Sequence, residues 1–177
     1  MQTIYFVRHG EAQANAEGLV AGSQTHSPLT IKGADQARAI AQTLKDKPID
    51  LIVASPLERT TETAEIIARA IGYKGMIQTN ALIIERDFGS ATGLPKAQGL
   101  AMVDNGSAIG VEPIGVLESR MQHFLEWLRS QPAEHILVVG HGGSGLMLRT
   151  IVEGGNTERF YETASHDNGE LYVFTLG

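Results

Sequence analysis

Three short apolar runs, at residues 4–7, 51–54 and 136–139, alternate with longer stretches whose apolar residues recur at helical spacing. Strand, helix, strand in repetition restricts a chain to an α/β layered sheet with right-handed crossovers. The expected architecture is a three-layer sandwich, with a mostly parallel central sheet flanked by helices. The first run, Ile4-Tyr5-Phe6-Val7, leads straight into Arg8-His9-Gly10-Glu11, and the third into Gly140-His141-Gly142-Gly143. In an open parallel sheet the carboxyl ends of the strands line the ligand crevice, so two histidines far apart in sequence are expected to meet there. A histidine beside an arginine and facing another histidine suits an anionic oxygen cluster such as phosphate.

The stretches between the strands read as helices with definite ends. Ala37, Ile40, Ala41 and Leu44 keep one face, with Thr30 as the expected N-cap. Ser55-Pro56-Leu57-Glu58 combines a capping-box pattern with a proline at the first helical position, which predicts an abrupt start there. That helix should bury Thr60, Ala64, Ile67 and Ile71 and close at Gly72. Leu117, Met121, Phe124, Leu125 and Leu128 mark another helix ending near Pro132, and Leu146, Met147 and Ile151 a further one. Asn168-Gly169 signals a turn before a last strand at 171–174. Residues 89–115 are glycine-rich and weakly periodic, which predicts a surface segment with one short helix. At 177 residues the chain is expected to form a single domain, 1–177.

Composition removes several function classes. The formal charge of −6, from 20 acidic and 14 basic residues, argues against nucleic acid or an anionic membrane as a partner. The chain has no cysteine, which excludes disulfides, thiolate metal sites and a cysteine nucleophile. No run approaches the roughly 18 apolar residues of a membrane span, so the protein is expected to be soluble and cytoplasmic.

Arg8 and His9 stand at one strand end, Arg59 one turn into the helix after the next strand, and His141 at a later strand end. Arginine presents a planar fork that pairs two phosphate oxygens at once. Two arginines and a histidine can hold three oxygens. The sequence here resembles the histidine phosphatase superfamily, whose best-known members are the cofactor-dependent phosphoglycerate mutases. The resemblance rests on an ordered series: Arg8-His9-Gly10-Glu11 with Asn15, then Leu29-Thr30-x-x-Gly33-x-x-Gln36-Ala37, then Ser55-x-Leu57-x-Arg59-Thr60-x-x-Thr63-Ala64. It continues through Glu85-Arg86-Asp87-Phe88-Gly89 with Gly93, Gly110-x-Glu112, and Gly140-His141-Gly142. Ala12, Val111 and Pro113 depart from the residues common in relatives, and the last two put substrate contact by the Glu112 segment in doubt.

The resemblance implies a phosphomonoesterase in which His9 is the nucleophile and forms a phosphohistidine. Its ring must be neutral to attack, and nearby arginines disfavour the protonated form. Arg8, Arg59 and His141 would stabilise the transferring phosphoryl group, helped by Asn15 and a backbone N–H near Gly142. Glu85 matches the family's general acid and would later activate water, with Asp87 as the rival carboxylate. No cofactor and no metal is implied, and the partner is a small phosphorylated metabolite. Mutase relatives carry a long insertion after the acid that would exclude water. Here only about 90–110 occupies that place, and Gly99, Gly106 and Gly110 should keep it flexible, which favours hydrolysis over mutase chemistry. The same segment is expected to shape the leaving-group pocket, with Gln24, His26, Lys96 and Met102 as candidate contacts.

Competing readings are weaker. Gly140-x-Gly142-x-x-Gly145 fits a dinucleotide fingerprint, but no second strand ending in an acidic residue follows it. A serine hydrolase lacks a G-x-S-x-G elbow, and a metal hydrolase using His9, His26, His141 or His166 lacks H-E-x-x-H or a carboxylate cluster. A non-catalytic phospholigand-binding protein of the same fold would be expected to have lost the nucleophile or the acid, and both are present.

Overall fold

A computed structural model of the chain describes residues 1–162 and 167–177. Among these residues the sheet has five strands: β1 (Gln2–Arg8), β2 (Leu51–Ala54), β3 (Gln78–Thr79), β4 (His135–Gly140) and β5 (Leu171–Leu176). Their order is β3-β2-β4-β1-β5, parallel throughout except that β5 runs antiparallel to β1. The helices are α1 (Gln13–Ala16), α2 (Ile31–Leu44), α3 (Glu58–Ile71), α4 (Lys96–Asp104), α5 (Ile114–Arg129) and α6 (Gly142–Val152).

Both faces of the sheet are covered, which is why the strands read as unbroken apolar runs. Side chains alternate across the pleat. Ile4, Phe6, Leu51, Val53, Ile136 and Val138 pack with Leu117, Met121, Phe124 and Leu128 of α5 and with Met147 and Leu148 of α6. Tyr5, Val7, Ile52, Ala54, Leu137 and Val139 pack on the other side with Ala37, Ala41 and Leu44 of α2 and Ala64, Ile67 and Ala68 of α3. A three-layer α/β sandwich results, as the sequence predicts. The β1–β4 register pairs Arg8 with Gly140, so His9 and His141 leave the sheet at the same level.

Helix ends follow the local chemistry with one exception. The Thr30 hydroxyl accepts the Gly33 N–H at 3.0 Å and caps α2, and α3 closes at Gly72. Ser55, however, is not the cap of α3: the helix begins at Glu58 with Leu57 at the N-cap and no side-chain cap bond. The Ser55 hydroxyl is instead buried against His141. The segment after residue 89 does hold one short α-helix, α4, behind a 3-10 turn at Gly89–Ala91, but Gly99 serves packing rather than flexibility. A Cβ there would lie 2.7 Å from Val20 Cγ2. The strand β3 is two exposed residues long and carries no apolar signal. His166 lies outside the described residues.

Candidate active site

The chain turns sharply after β1 because Gly10 and Gly33 touch backbone to backbone, and a Cβ at Gly10 would sit 2.2 Å from the Gly33 carbonyl oxygen. Side chains of the flanking helices then hold this loop. Thr63 Oγ1 accepts the Gly10 N–H at 3.1 Å, Gln36 Oε1 accepts the Glu11 N–H at 2.7 Å, and Glu62 Oε2 accepts the Leu29 N–H at 2.7 Å. Gly33, Gln36 and Thr63 are therefore scaffolding for the loop that carries His9.

His9 is 3% exposed, and its protonation is set by its partners. Arg59 Nε, which can only donate, lies 3.3 Å from His9 Nε2. His9 Nδ1 lies 2.7 Å from the Gly10 carbonyl oxygen, which can only accept. The proton is thus on Nδ1 and the lone pair on Nε2. Burial, then the charges of Arg59 and Arg8, push the His9 pKa well below 6.5. The buried guanidinium of Arg59 also donates to the Gly22 oxygen at 2.8 Å and the Thr25 oxygen at 3.3 Å.

His141 is fully buried, its ring edge-on to His9 with centroids 5.2 Å apart. Its Nε2 is 2.7 Å from Ser55 Oγ, and its buried Nδ1 has no hydrogen-bond partner among the described residues. Burial first and Arg59 next lower its pKa well below 6.5. Arg8 packs against Gly142, where a Cβ would stand 3.3 Å from the guanidinium carbon. Burial lowers the pKa of Arg8 and of Arg59, and the Glu85 carboxylate counters this at both. Glu85 is therefore within electrostatic reach of the two guanidiniums.

Glu85 caps the start of α6. Its Oε2 accepts the Gly143 N–H at 3.1 Å, and its Oε1 accepts the N–H groups of Ser144 at 3.2 Å and Arg86 at 2.9 Å. A Cβ at residue 143 would lie 2.6 Å from Oε1, so the second glycine of His141-Gly142-Gly143 is what lets the carboxylate approach. The N–H groups just past Gly142 thus serve Glu85. Asp87 faces elsewhere: its carboxylate accepts Gly89 N–H and Gln24 Nε2, each at 2.8 Å. The Gly89 N–H above all, with help from Gln24 and Ser23, lowers its pKa.

The structure brings His9, Arg8, Arg59, His141 and Glu85 together and places the other candidates around or away from them. Asn15 Oδ1 accepts the Ala12 N–H at 3.0 Å and Asn168 Nδ2 at 3.3 Å, which orients its amide beside the His9 loop. Gln24 bridges to Asp87, while His26 turns to solvent and pairs with Glu58 at 2.9 Å. Lys96 is exposed at the start of α4 and Met102 half-buried on it. That helix rests on its own small cluster of Val20, Phe88 and Ala91. Two contributors went unrecognised in the sequence. Ser55 holds His141, and its only signal was its place in the Ser55-x-Leu57-x-Arg59 series. Asn168 donates to the His9 carbonyl oxygen at 3.1 Å as well as to Asn15, and in sequence it looked like a turn residue only.

Residues 4–177 match the family model of the histidine phosphatase superfamily, branch 1. The chain belongs to that superfamily. An uncharacterized phosphatase of Bacillus subtilis strain 168, PhoE, is 31% identical over 159 residues, covering 89% of this chain and 81% of that one. A probable phosphoglycerate mutase of Escherichia coli K12, GpmB, is 35% identical over 163 residues, covering 86% and 75%. The crystal structure of a putative alpha-ribazole-5'-P phosphatase from Escherichia coli K-12 is 26% identical, with a TM-score of 0.84 over 97% of this chain and 89% of that one. Bacillus stearothermophilus YhfR, at 21% identity, shares the fold with a TM-score of 0.88 over 100% and 92%. Within the histidine phosphatase superfamily the relatives thus carry both phosphatase and mutase names. Among the described residues no helix is long and apolar enough to cross a membrane.

Proposed function

We propose that this protein hydrolyses the phosphomonoester of a small phosphorylated metabolite through a phosphohistidine on His9. The observation that carries this reading is the tautomer of His9, a buried neutral ring with its Nε2 lone pair facing Arg59. A phosphoryl group entering beside it would take the Arg59 N–H onto its own oxygens and leave Nε2 to attack phosphorus in line. Arg8, Arg59 and the Asn15 amide nitrogen would then share the equatorial oxygens. The unpartnered Nδ1 of His141 is a further contact, since a buried polar atom left unmet costs about 1–3 kcal/mol and a phosphoryl oxygen would satisfy it.

Glu85 supplies the proton to the departing alkoxide. Its carboxylate stands at the start of α6, within electrostatic reach of the two arginines that would grip the phosphoryl group. Once deprotonated, Glu85 takes a proton from water as that water attacks the phosphohistidine, which returns His9 and releases phosphate. Asp87 directs its carboxylate to the Gly89 N–H and to Gln24 rather than to the start of α6 where Glu85 stands.

Mutase activity is the second reading, favoured by the 35% identity to a probable phosphoglycerate mutase. Against it, only the short segment around α4 stands where a long water-excluding insertion would lie. The test is phosphate release from a panel of phosphomonoesters, run beside isomerisation of phosphoglycerates. Release from at least one ester, lost in His9→Ala, is expected. Isomerisation that outpaces hydrolysis would turn the assignment to a mutase, and neither activity between pH 5 and 9 would overturn it.

A further inference from the structure

Glu85 lies in a stretch, 84–88, without helix or strand, yet general acid catalysis requires its carboxyl group to be held to within a fraction of an ångström. The bonds that fix this stretch come from a pair of residues with no assigned role, Glu112 and Arg120. Arg120 stands on α5 between Leu117 and Met121, on the side that faces the core. Its guanidinium meets both oxygens of Glu112, Nε to Oε1 at 2.7 Å and Nη2 to Oε2 at 3.0 Å. The remaining nitrogen, Nη1, donates to the carbonyl oxygens of Leu82 at 2.6 Å and Ile84 at 2.7 Å. Both side chains are only 13% exposed.

Glu112 grips the same stretch on the far side of Glu85. Its carbonyl oxygen accepts Arg86 Nε at 3.0 Å, its N–H donates to the Asp87 oxygen at 2.8 Å, and its Oε2 accepts the Asp87 N–H at 3.4 Å. Leu82 and Ile84 are therefore held by the Arg120 guanidinium, and Arg86 and Asp87 by Glu112, through its main chain and one carboxylate oxygen. Glu85, between Ile84 and Arg86, directs its side chain to Gly143 and Ser144. Arg86 is buttressed in turn by the rings of Phe88 and Tyr161, each 5.7 Å from its guanidinium carbon, and donates to the Tyr161 hydroxyl.

We infer that the Glu112–Arg120 pair is a positioning clamp for the general acid, acting on the main chain either side of Glu85 and on neither the phosphate nor the leaving group. This rests on Glu85 being the acid, and it moves the Glu112 segment from substrate contact to support of the acid. A bidentate Arg–carboxylate pair is suited to the task because its planar fork fixes direction as well as distance.

Leaving-group dependence separates the clamp from a general loss of structure. An alkyl phosphate must be protonated as it departs, whereas p-nitrophenolate leaves without a proton. Glu112→Gln and Arg120→Lys should each lower kcat/KM for the best alkyl phosphate of the panel by about 10²-fold, through kcat rather than KM, and for p-nitrophenyl phosphate by less than about threefold. Glu85→Gln should show the same selectivity in kcat/KM, which does not report the later hydrolysis of the phosphohistidine that Glu85 also serves, and adding Glu112→Gln to it should cost nothing more on the alkyl ester. Using both the near-isosteric glutamine and the charge-retaining lysine keeps the test decisive if one variant folds poorly. Equal losses on the two esters, or no loss, with Glu85→Gln still selective, would overturn the clamp alone. An unselective Glu85→Gln would overturn the assignment of the acid and the clamp with it.

Discussion

The two sides of the site are built by opposite means. On the phosphate side, His9, Arg59, His141 and Ser55 are at most 3% exposed and hang directly from the ends of paired parallel strands or the first turn of a packed helix. On the leaving-group side, Glu85 sits half-buried in an irregular stretch, next to a loop bearing exposed Gln24 and His26 and a helix with its own small cluster. A sheet edge fixes a few groups rigidly, which suits a phosphoryl group that is the same in every substrate. Tethered loops can change without unfolding the core, which suits the part of the substrate that differs between relatives.

The sharpest way to break this contrast is to remove the nucleophile. His9→Ala should reduce phosphate release by on the order of 10⁴-fold or more while leaving the fold intact, as measured by steady-state kinetics and circular dichroism. Next in size is Arg59→Lys, which keeps a charge but loses the fork that meets His9, Gly22 and Thr25. It should cost about 10²–10³-fold in kcat, and a loss below about tenfold would show that charge alone suffices.

Acid sensitivity should also divide the two sides. In the folded chain His9 and His141 resist protonation down to well below 6.5, chiefly through burial, whereas the unfolded chain takes up those protons near 6.5. Their contribution to stability is therefore complete above that pH and is lost as the pH falls below it, at up to about 1.4 kcal/mol per pH unit for each ring. Denaturant unfolding between pH 5 and 7 should show this slope, and His141→Asn should roughly halve it.

The smallest effects belong to the outlying candidates. Lys96→Ala should shift stability by no more than about 0.5 kcal/mol and leave turnover of p-nitrophenyl phosphate unchanged. A clear change in KM for a natural ester, and not for this one, would bring α4 into the leaving-group pocket.

What could be read from the sequence follows the same division. The apolar runs and their abrupt ends at Arg8-His9 and Gly140-His141 foretold the sheet and the meeting of the two histidines, because strand burial and glycine turns leave local marks. Ser55 misled for a physical reason: serine before proline and glutamate is also an N-cap pattern, and only the tertiary fold shows that His141 takes its hydroxyl. Arg120 left no mark at all, since an arginine on a helix face reads as solvated until a carboxylate from another segment is seen against it. Asn168 was legible as a turn but not as the donor to the His9 loop, a contact spanning 159 residues.

The most direct measurement traps the intermediate. Enzyme mixed with a ³²P-labelled phosphomonoester and denatured within milliseconds in alkaline detergent, where a P–N bond survives, should carry label on the peptide containing His9 and release it in mild acid. Label should be absent from His9→Ala. Turnover with no protein-bound label, while Glu85→Gln, slowed in hydrolysis of the intermediate, also accumulates none, would contradict the account.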